Sequence, residues 1–281
     1  MSFELRGRSK AAPRATLPAS KSPLRDLAAQ VGGLLAFSVT ALSRTVTTTA
    51  RRTLSLEETV TQALFIARVC TVPALLLMLP IGVLIAVSVG SLAGKLGAGA
   101  YSGAVVAFVV VGQAAALVCA LMLAGVAGSA ICADLGSRTI REEIAAMEVM
   151  GLDVIERLVV PRLIASMFVA LVVCGMVTVV GVGACFFYQV FVADQSAGAF
   201  LATFSEYGRV SDFAMAMVKS VCFAVTSTLI ASFKGLHTKG GPSGVADSVN
   251  EAVVLAFVMV FVVNTVLSQL YAVVVPAVGR Y

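Results

Sequence analysis

Long uncharged runs set the pattern of this chain. Val69 to Gly94 carries 26 residues without a charge, more than the roughly 20 needed to cross the hydrocarbon core as a helix. Pro73 and Pro80 inside it are expected kinks. Leu96 to Ala133 holds 38 uncharged residues, too many for one crossing, and the Gly-rich LGAGAYSG at 96–103 reads as the turn before a second span at about 104–128. With the first span at about 69–94, three more are predicted at about 163–192, 213–233 and 252–279. A polar patch of Asp194, Glu206, Arg209 and Asp212 separates the third from the fourth. Ser55-Leu56-Glu57-Glu58 matches a capping box, in which Ser55 and Glu58 satisfy free N–H groups, so a helix is expected to begin near Leu56.

Ahead of that helix, Asp26 and Arg44 bracket 17 uncharged residues, about 25 Å as a helix and short of the roughly 30 Å core. Basic residues flank it on both sides, and it reads as a helix lying in the membrane interface. Residues 1–23 are basic, rich in Pro, Ala and Ser and without an apolar period, which predicts a disordered cytoplasmic tail. They lack the apolar core and cleavage site of a signal peptide. The fold class that follows is an all-α integral membrane protein, with an interfacial N-terminal helix and five transmembrane helices forming one membrane domain over 24–281.

Composition agrees. With 59% hydrophobic residues, 12% charged and a mean hydropathy of +0.99, a water-soluble fold is excluded. The pI near 9.0 raises nucleic acid as a partner, yet half of the 20 Lys and Arg lie in the first 68 residues. In a five-span layout 16 of the 20 fall on the side of the N-terminus, the 134–162 loop and the 234–251 loop. That asymmetry fits a tail on anionic lipid and not nucleic acid, and places this side in the cytoplasm of a multi-pass protein of the cytoplasmic membrane, the C-terminus outside. Cys70, Cys119, Cys132, Cys174, Cys185 and Cys222 lie in or beside apolar stretches without a CxxC pair, so they read as small packing residues, with no metal site.

Residues 134–162, DLGSRTIREEIAAMEVMGLDVIERLVVPR, carry ten charges, four Arg and six Asp or Glu. Ile140, Ile144, Met147 and Met150 recur at helical spacing while Arg141, Glu142, Glu143 and Glu148 fall on other faces, which predicts a short amphipathic helix over about 138–150. Gly151 suits the left-handed position that ends such a helix, and Arg138 and Glu142 are expected to pair one turn apart. A stiff helix strung between two spans passes any motion imposed on it to both.

The stretch ADLGSRTIREEIAAMEVMGLDVIERLVVPR at 133–162 resembles the cytoplasmic signature of the MlaE/YrbE permeases, which belong to lipid ABC transporters working with MCE proteins. Its Glu-Glu pair, the following Gly and Val-Pro-Arg carry the likeness; with Ile131-Cys132-Ala133-Asp134 ahead, it is closest to the first of the paired actinobacterial YrbE permeases of Mce operons. The Gly-rich GLHTKGGPSG at 235–244 and the span order extend the likeness over most of 24–280. The resemblance implies a helix that couples to a separate ATPase through Arg138, Arg141, Glu142, Glu143, Met147 and Gly151. It also implies a second permease, an external MCE assembly, a lipid substrate, and ATP and Mg held by the ATPase. The other reading of Glu142 and Glu143 is a solvated helix face.

What the chain lacks points the same way. No acidic or basic residue is expected in the middle of a span, where ion-coupled carriers need one. Gly90-Ser91-Leu92-Ala93-Gly94-Lys95-Leu96 is one residue short of a phosphate-binding loop and lacks Ser or Thr after Lys95, GGPSG at 240–244 lacks the spacing of a nucleophile elbow, and His237 has no carboxylate nearby in sequence. The expectation is a non-catalytic subunit, not an enzyme, with no cofactor of its own. Lys219, two turns into the fourth span, reads as snorkelling to the outer interface or as a lipid-headgroup contact. Gln113 and Asn264 either line a substrate path or bond a neighbouring helix, and Gly175, Gly181 and Gly183 permit close helix approach. The function read from these features is a permease subunit moving phospholipid, fatty acid, sterol or mycolic-type lipid, driven by a separate ATPase. The alternatives are a self-contained carrier or channel, and a membrane scaffold.

Overall fold

The computed structural model describes residues 23–50, 55–95, 97 and 99–274, and among them the chain is built from helices with no strand. α1 covers Pro23–Ala50, α2 Leu56–Lys95, α3 Ser102–Ile140, α4 Glu143–Val149, α5 Ile155–Phe191, α6 Ala197–Tyr207, α7 Val210–Leu236 and α8 Gly241–Val274. Five of them, α2, α3, α5, α7 and α8, are long and apolar enough to cross a membrane. The expected disordered tail up to residue 22 and the last span beyond 274 lie outside the described residues.

The pairing of α2 with α5 follows from a stripe of small side chains. Ile66, Cys70, Ala74, Met78, Gly82 and Ala86 are buried at every fourth position, which lines them along one face of the helix. A Cβ placed on Gly82 would stand 3.0 Å from Ala184 Cβ and 3.2 Å from the Gly181 carbonyl, and Cys185 Sγ donates to Gly82 O at 3.2 Å. Between helices in lipid there is little hydrophobic drive, so this close approach supplies the attraction. Pro73 and Pro80 sit inside one uninterrupted α2. Glu58 departs from the expected capping box, because its carboxylate accepts from Gln62 Nε2 at 2.9 Å, one turn up the helix.

α3 does not stop near Gly128. It continues to Ile140 through two π-helical segments, Ala107–Ala114 and Leu123–Ala127, so Asp134 and Arg138 ride on the end of a span and not in a loop. Thr139 Oγ1 bonds both Leu135 O at 2.9 Å and Gly235 O at 3.2 Å, which fastens this end of α3 to the end of α7. The end that carries residues 134–162 is called lower here, the opposite end upper.

α1 runs on to Ala50, past the expected end at Arg44. Phe37 packs its ring against Phe233 at 5.6 Å between centroids, Ala41 is buried with Val159, Leu163 and Leu229, Arg44 pairs with Asp153 at 3.3 Å, and Thr48 Oγ1 donates to Glu156 at 3.1 Å. Asp153 lies in the turn just before α5, and the other partners belong to the lower end of α5 or α7. α1 therefore lies across that end, as an interfacial helix would.

At the upper end, the patch predicted as polar contains a helix, α6. Ser196 caps it, accepting from Ala199 N at 3.5 Å, and Phe200 is fully buried against Phe186 at 5.5 Å. Its close seat on α3 depends on Gly103, where a Cβ would collide with the Phe200 carbonyl.

Candidate functional site

The signature segment is not the single helix over 138–150 that its periodicity predicts. α3 ends at Ile140, Arg141 and Glu142 form a break, and α4 resumes for seven residues. Glu142 sits at φ 59, in the left-handed region, and its N–H bonds back only three residues, to Thr139 O at 3.1 Å. The stripe is shortened accordingly. Ile144 and Met147 pack on the core, while Met150 is 66% exposed and Val149 89%.

Gly151 holds φ 77, as its position predicts. Its N–H bonds Glu148 O at 3.0 Å and the Leu152 N–H bonds Met147 O at 3.0 Å, the paired closure that stops a helix and satisfies its last carbonyls. Asp153 Oδ1 then accepts from Ile155 N at 3.0 Å and starts α5.

The expected Arg138–Glu142 pair does not form. Arg138 Nε bonds Asp134 instead, at 3.4 Å on the same helix, because the left-handed turn at Glu142 takes that carboxylate off the face below Arg138. Arg141 pairs with Glu143 at 3.0 Å, an exposed contact contributing little. Arg138, Arg141, Glu142, Glu143, Met147 and Gly151 are thus brought together around one bend, with Val149 and Met150 as an exposed apolar step beside three glutamates.

Above the bend lies a group that the sequence carries only as the last letter of Val-Pro-Arg. Arg162 is 1% exposed; its Nη2 forms an ion pair with Asp134 of α3, its Nε donates to Gln62 Oε1 of α2 at 3.4 Å, and its Nη1 has no partner. One guanidinium therefore joins three spans, α2, α3 and α5. The readable signal was a charge following Pro161 at the head of an apolar run.

A second polar cluster sits deeper. Lys219 is 1% exposed, and its amine faces inward to Ser268 Oγ at 2.9 Å and Gln113 Oε1 at 3.4 Å, so it neither snorkels nor leaves the spans free of buried charge. Gln113 belongs to the π-helical segment of α3, a feature enriched at functional positions. Asn264 Oδ1 on α8 is buried without a partner. Of the two residues weighed as path or packing, Gln113 bonds a neighbouring helix through Lys219.

The remaining motifs are structural. Gly90 to Lys95 is the helical end of α2, where Gly90 makes room for Gln189, whose Nε2 donates to Ala86 O at 3.0 Å. His237 Nδ1 lies 2.8 Å from Phe233 O at the end of α7. Gly181 meets Met78 and Val110 as expected of a close contact, and Gly175 meets Met217 Cε at 3.4 Å; Gly183 has nothing within 4 Å of its would-be Cβ and so makes no close helix contact within this chain. Five of the six cysteines are buried and all six are free.

The family described as Permease MlaE matches residues 59–270, from the first turn of α2 to the last turns of α8. The chain belongs to the MlaE permease family. Both polar clusters and the α3–α4 bend fall inside the matched region. A chloroplast protein of Arabidopsis thaliana named trigalactosyldiacylglycerol 1 is 29% identical over 177 residues, 63% of this chain and 51% of the relative. A Synechocystis protein named "Probable ABC transporter permease protein" is 30% identical over 158 residues, 56% of this chain and 60% of the relative. A similarly named protein of Pyropia yezoensis is 29% identical over 167 residues, 59% of this chain and 63% of the relative. The chain thus spans a little over half the length of the first two relatives. As an MlaE-family permease with five candidate spans, it is a multi-pass membrane protein.

Proposed function

We propose that this chain is the non-catalytic permease subunit of an ABC transporter that moves lipid across the cytoplasmic membrane, energised by a separate ATPase seated on α4. The observation that carries the reading is the bend itself. α4 exposes Val149 and Met150 at the lower end, and its two flanks are tied to spans, Asp134 to Arg162 on one side and Asp153 to Arg44 on the other. A push on α4 is therefore delivered to α2, α3, α5 and α1 together. The ABC permease names of the relatives and the galactolipid in the name of the plant protein support the substrate class. ATP and Mg belong to the partner ATPase, a second permease sits beside this one, an MCE assembly stands outside, and the N-terminus is cytoplasmic. The finer placement, as the first of paired actinobacterial YrbE permeases, rests on residues 131–162 and is part of the same proposal.

The test is copurification. Glu142→Lys with Glu143→Lys replaces attraction to basic groups with like-charge contact, which at an interface costs several kcal/mol; Val149→Asp attacks the apolar step. Each is expected to lower ATPase recovery and abolish lipid movement while leaving thermal stability unchanged, the charge variant more so at low salt. Wild-type ATPase recovery in both would overturn the docking site. Buried Lys219 favours one rival, the self-contained carrier, which requires lipid movement down an ion gradient by the purified chain alone.

A further inference from the structure

At the upper end a cavity of about 600 Å³ opens between α3, α5, α6 and α7, well within the 300–1,000 Å³ of small-ligand sites. Phe186, Phe200, Phe204 and Phe213 give it aromatic walls, and Gly183 contributes empty space where any side chain would intrude. Thr178 also lines it, but its hydroxyl is spent on Cys174 O at 2.7 Å. Apart from Arg209, a guest inside finds no free side-chain polar group. Val179 of the lining is 72% exposed, so the cavity is open sideways, toward the acyl region of a bilayer.

Arg209 is the one charged residue of the lining, and it stands immediately before α7, where that span reaches its upper limit. Among the described residues no carboxylate pairs with it. Asp212, one turn on, is engaged by the Tyr271 hydroxyl, and Asp194 and Glu206 do not line the cavity. The occupant that satisfies both features has a long apolar part and one anionic group at headgroup depth. A guanidinium offers phosphate two parallel N–H donors, and the open side lets a second chain stay in the bilayer. We propose that this cavity holds one acyl chain of an anionic phospholipid whose phosphate is bound by Arg209. The inference deepens the permease reading and rests on it for the part the site plays in transport, while its test needs neither ATP nor a partner chain.

The chain contains no tryptophan, so Phe213→Trp places a single reporter in the lining and Phe261→Trp on the exposed face of α8 reports bulk lipid. Each full-length variant is reconstituted in phosphatidylcholine vesicles containing a small fraction of brominated phosphatidylglycerol, and quenching is compared with the mole fraction. The lining reporter is expected to see phosphatidylglycerol enriched about fivefold, the effect of one cation facing an anionic headgroup, while the α8 reporter follows the mole fraction. Arg209→Gln and, independently, Gly183→Leu should each return the lining reporter to the mole fraction; brominated phosphatidylcholine and brominated palmitate should show no enrichment. Enrichment that survives Arg209→Gln, that is equal for phosphatidylcholine or palmitate, or that is absent from the unaltered lining overturns the site. Phe186→Trp serves if Phe213→Trp misfolds. ATP-driven lipid movement that persists without enrichment counts against this site alone, and enrichment without such movement upholds the site and counts against the permease reading.

Discussion

Lys219 of α7 donates to Ser268 Oγ of α8 at 2.9 Å and faces Gln113 Oε1 of α3 at 3.4 Å, a cation held in the bundle by neutral groups. Among the described residues no carboxylate lies within ion-pair distance of it.

Removing its short partner should therefore cost more than removing the amine. Ser268→Ala strips a buried donor of its bond and is expected to lower stability by about 1–3 kcal/mol. Lys219→Met, apolar and of similar length, should be neutral or stabilising. Thermal unfolding of the purified chain in detergent ranks the two. Lipid movement retained by Lys219→Met would assign the cluster to packing, and its loss at unchanged stability would place the amine on the lipid path.

Arg162 and Asp134 make the opposite case, because here the charge has a charged partner. Breaking a buried pair costs about 3–5 kcal/mol, and since Asp134 keeps 37% of its side chain open to water a smaller loss, about 2–3 kcal/mol, is expected for Asp134→Asn. Arg162→Met should cost less, and Arg162→Met with Asp134→Leu should recover most of the loss. A double-mutant cycle on melting temperature measures the coupling. Additive losses would show that the two side chains do not depend on each other.

Gly103 holds the seat of α6. A Cβ there would strike the Phe200 carbonyl, a backbone group that cannot swing aside as a flexible side chain would, and stand 2.6 Å from Thr203 Oγ1. Gly103→Val is expected to lower stability by about 1–3 kcal/mol, the usual cost of overpacking, and to speed hydrogen exchange over residues 197–207. Protection at the wild-type level would mean that α6 is not held by this contact.

Orientation has a direct chemical readout. A cysteine at exposed Ser205, upper end, should react with a membrane-impermeant thiol reagent in intact cells, and one at exposed Ser243, lower end, should not. Ser137 is a poorer position, since it is partly buried and its hydroxyl is turned to Asp134 O at 2.8 Å. Five native cysteines are buried and should leave the background low. Labelling at Ser243 alone would invert the topology.

The sequence by itself determined the number and order of the spans, the start of α2 at Leu56 and the left-handed turn at Gly151. Each is a local property. Desolvation in lipid adds up residue by residue along a run, and a glycine after a helical stretch needs no distant partner to adopt positive φ. Run length also misled, because charge marks where water begins only when it is unpaired. The predicted second span stopped near Gly128, short of the charges at Asp134 and Arg138, yet α3 runs past both, since Asp134 is neutralised by Arg162, 28 residues away in sequence. Lys219 read as snorkelling for the same reason, and its bond to Gln113 spans 106 residues. The break at Glu142 and the helix at 197–207 were likewise decided by what packs beside them, Ile144 and Met147 against the core and Phe200 against Phe186. What only the tertiary structure could decide was which helix faces each polar group, because the cost of burying a charge depends on a partner that no run of neighbouring residues can name.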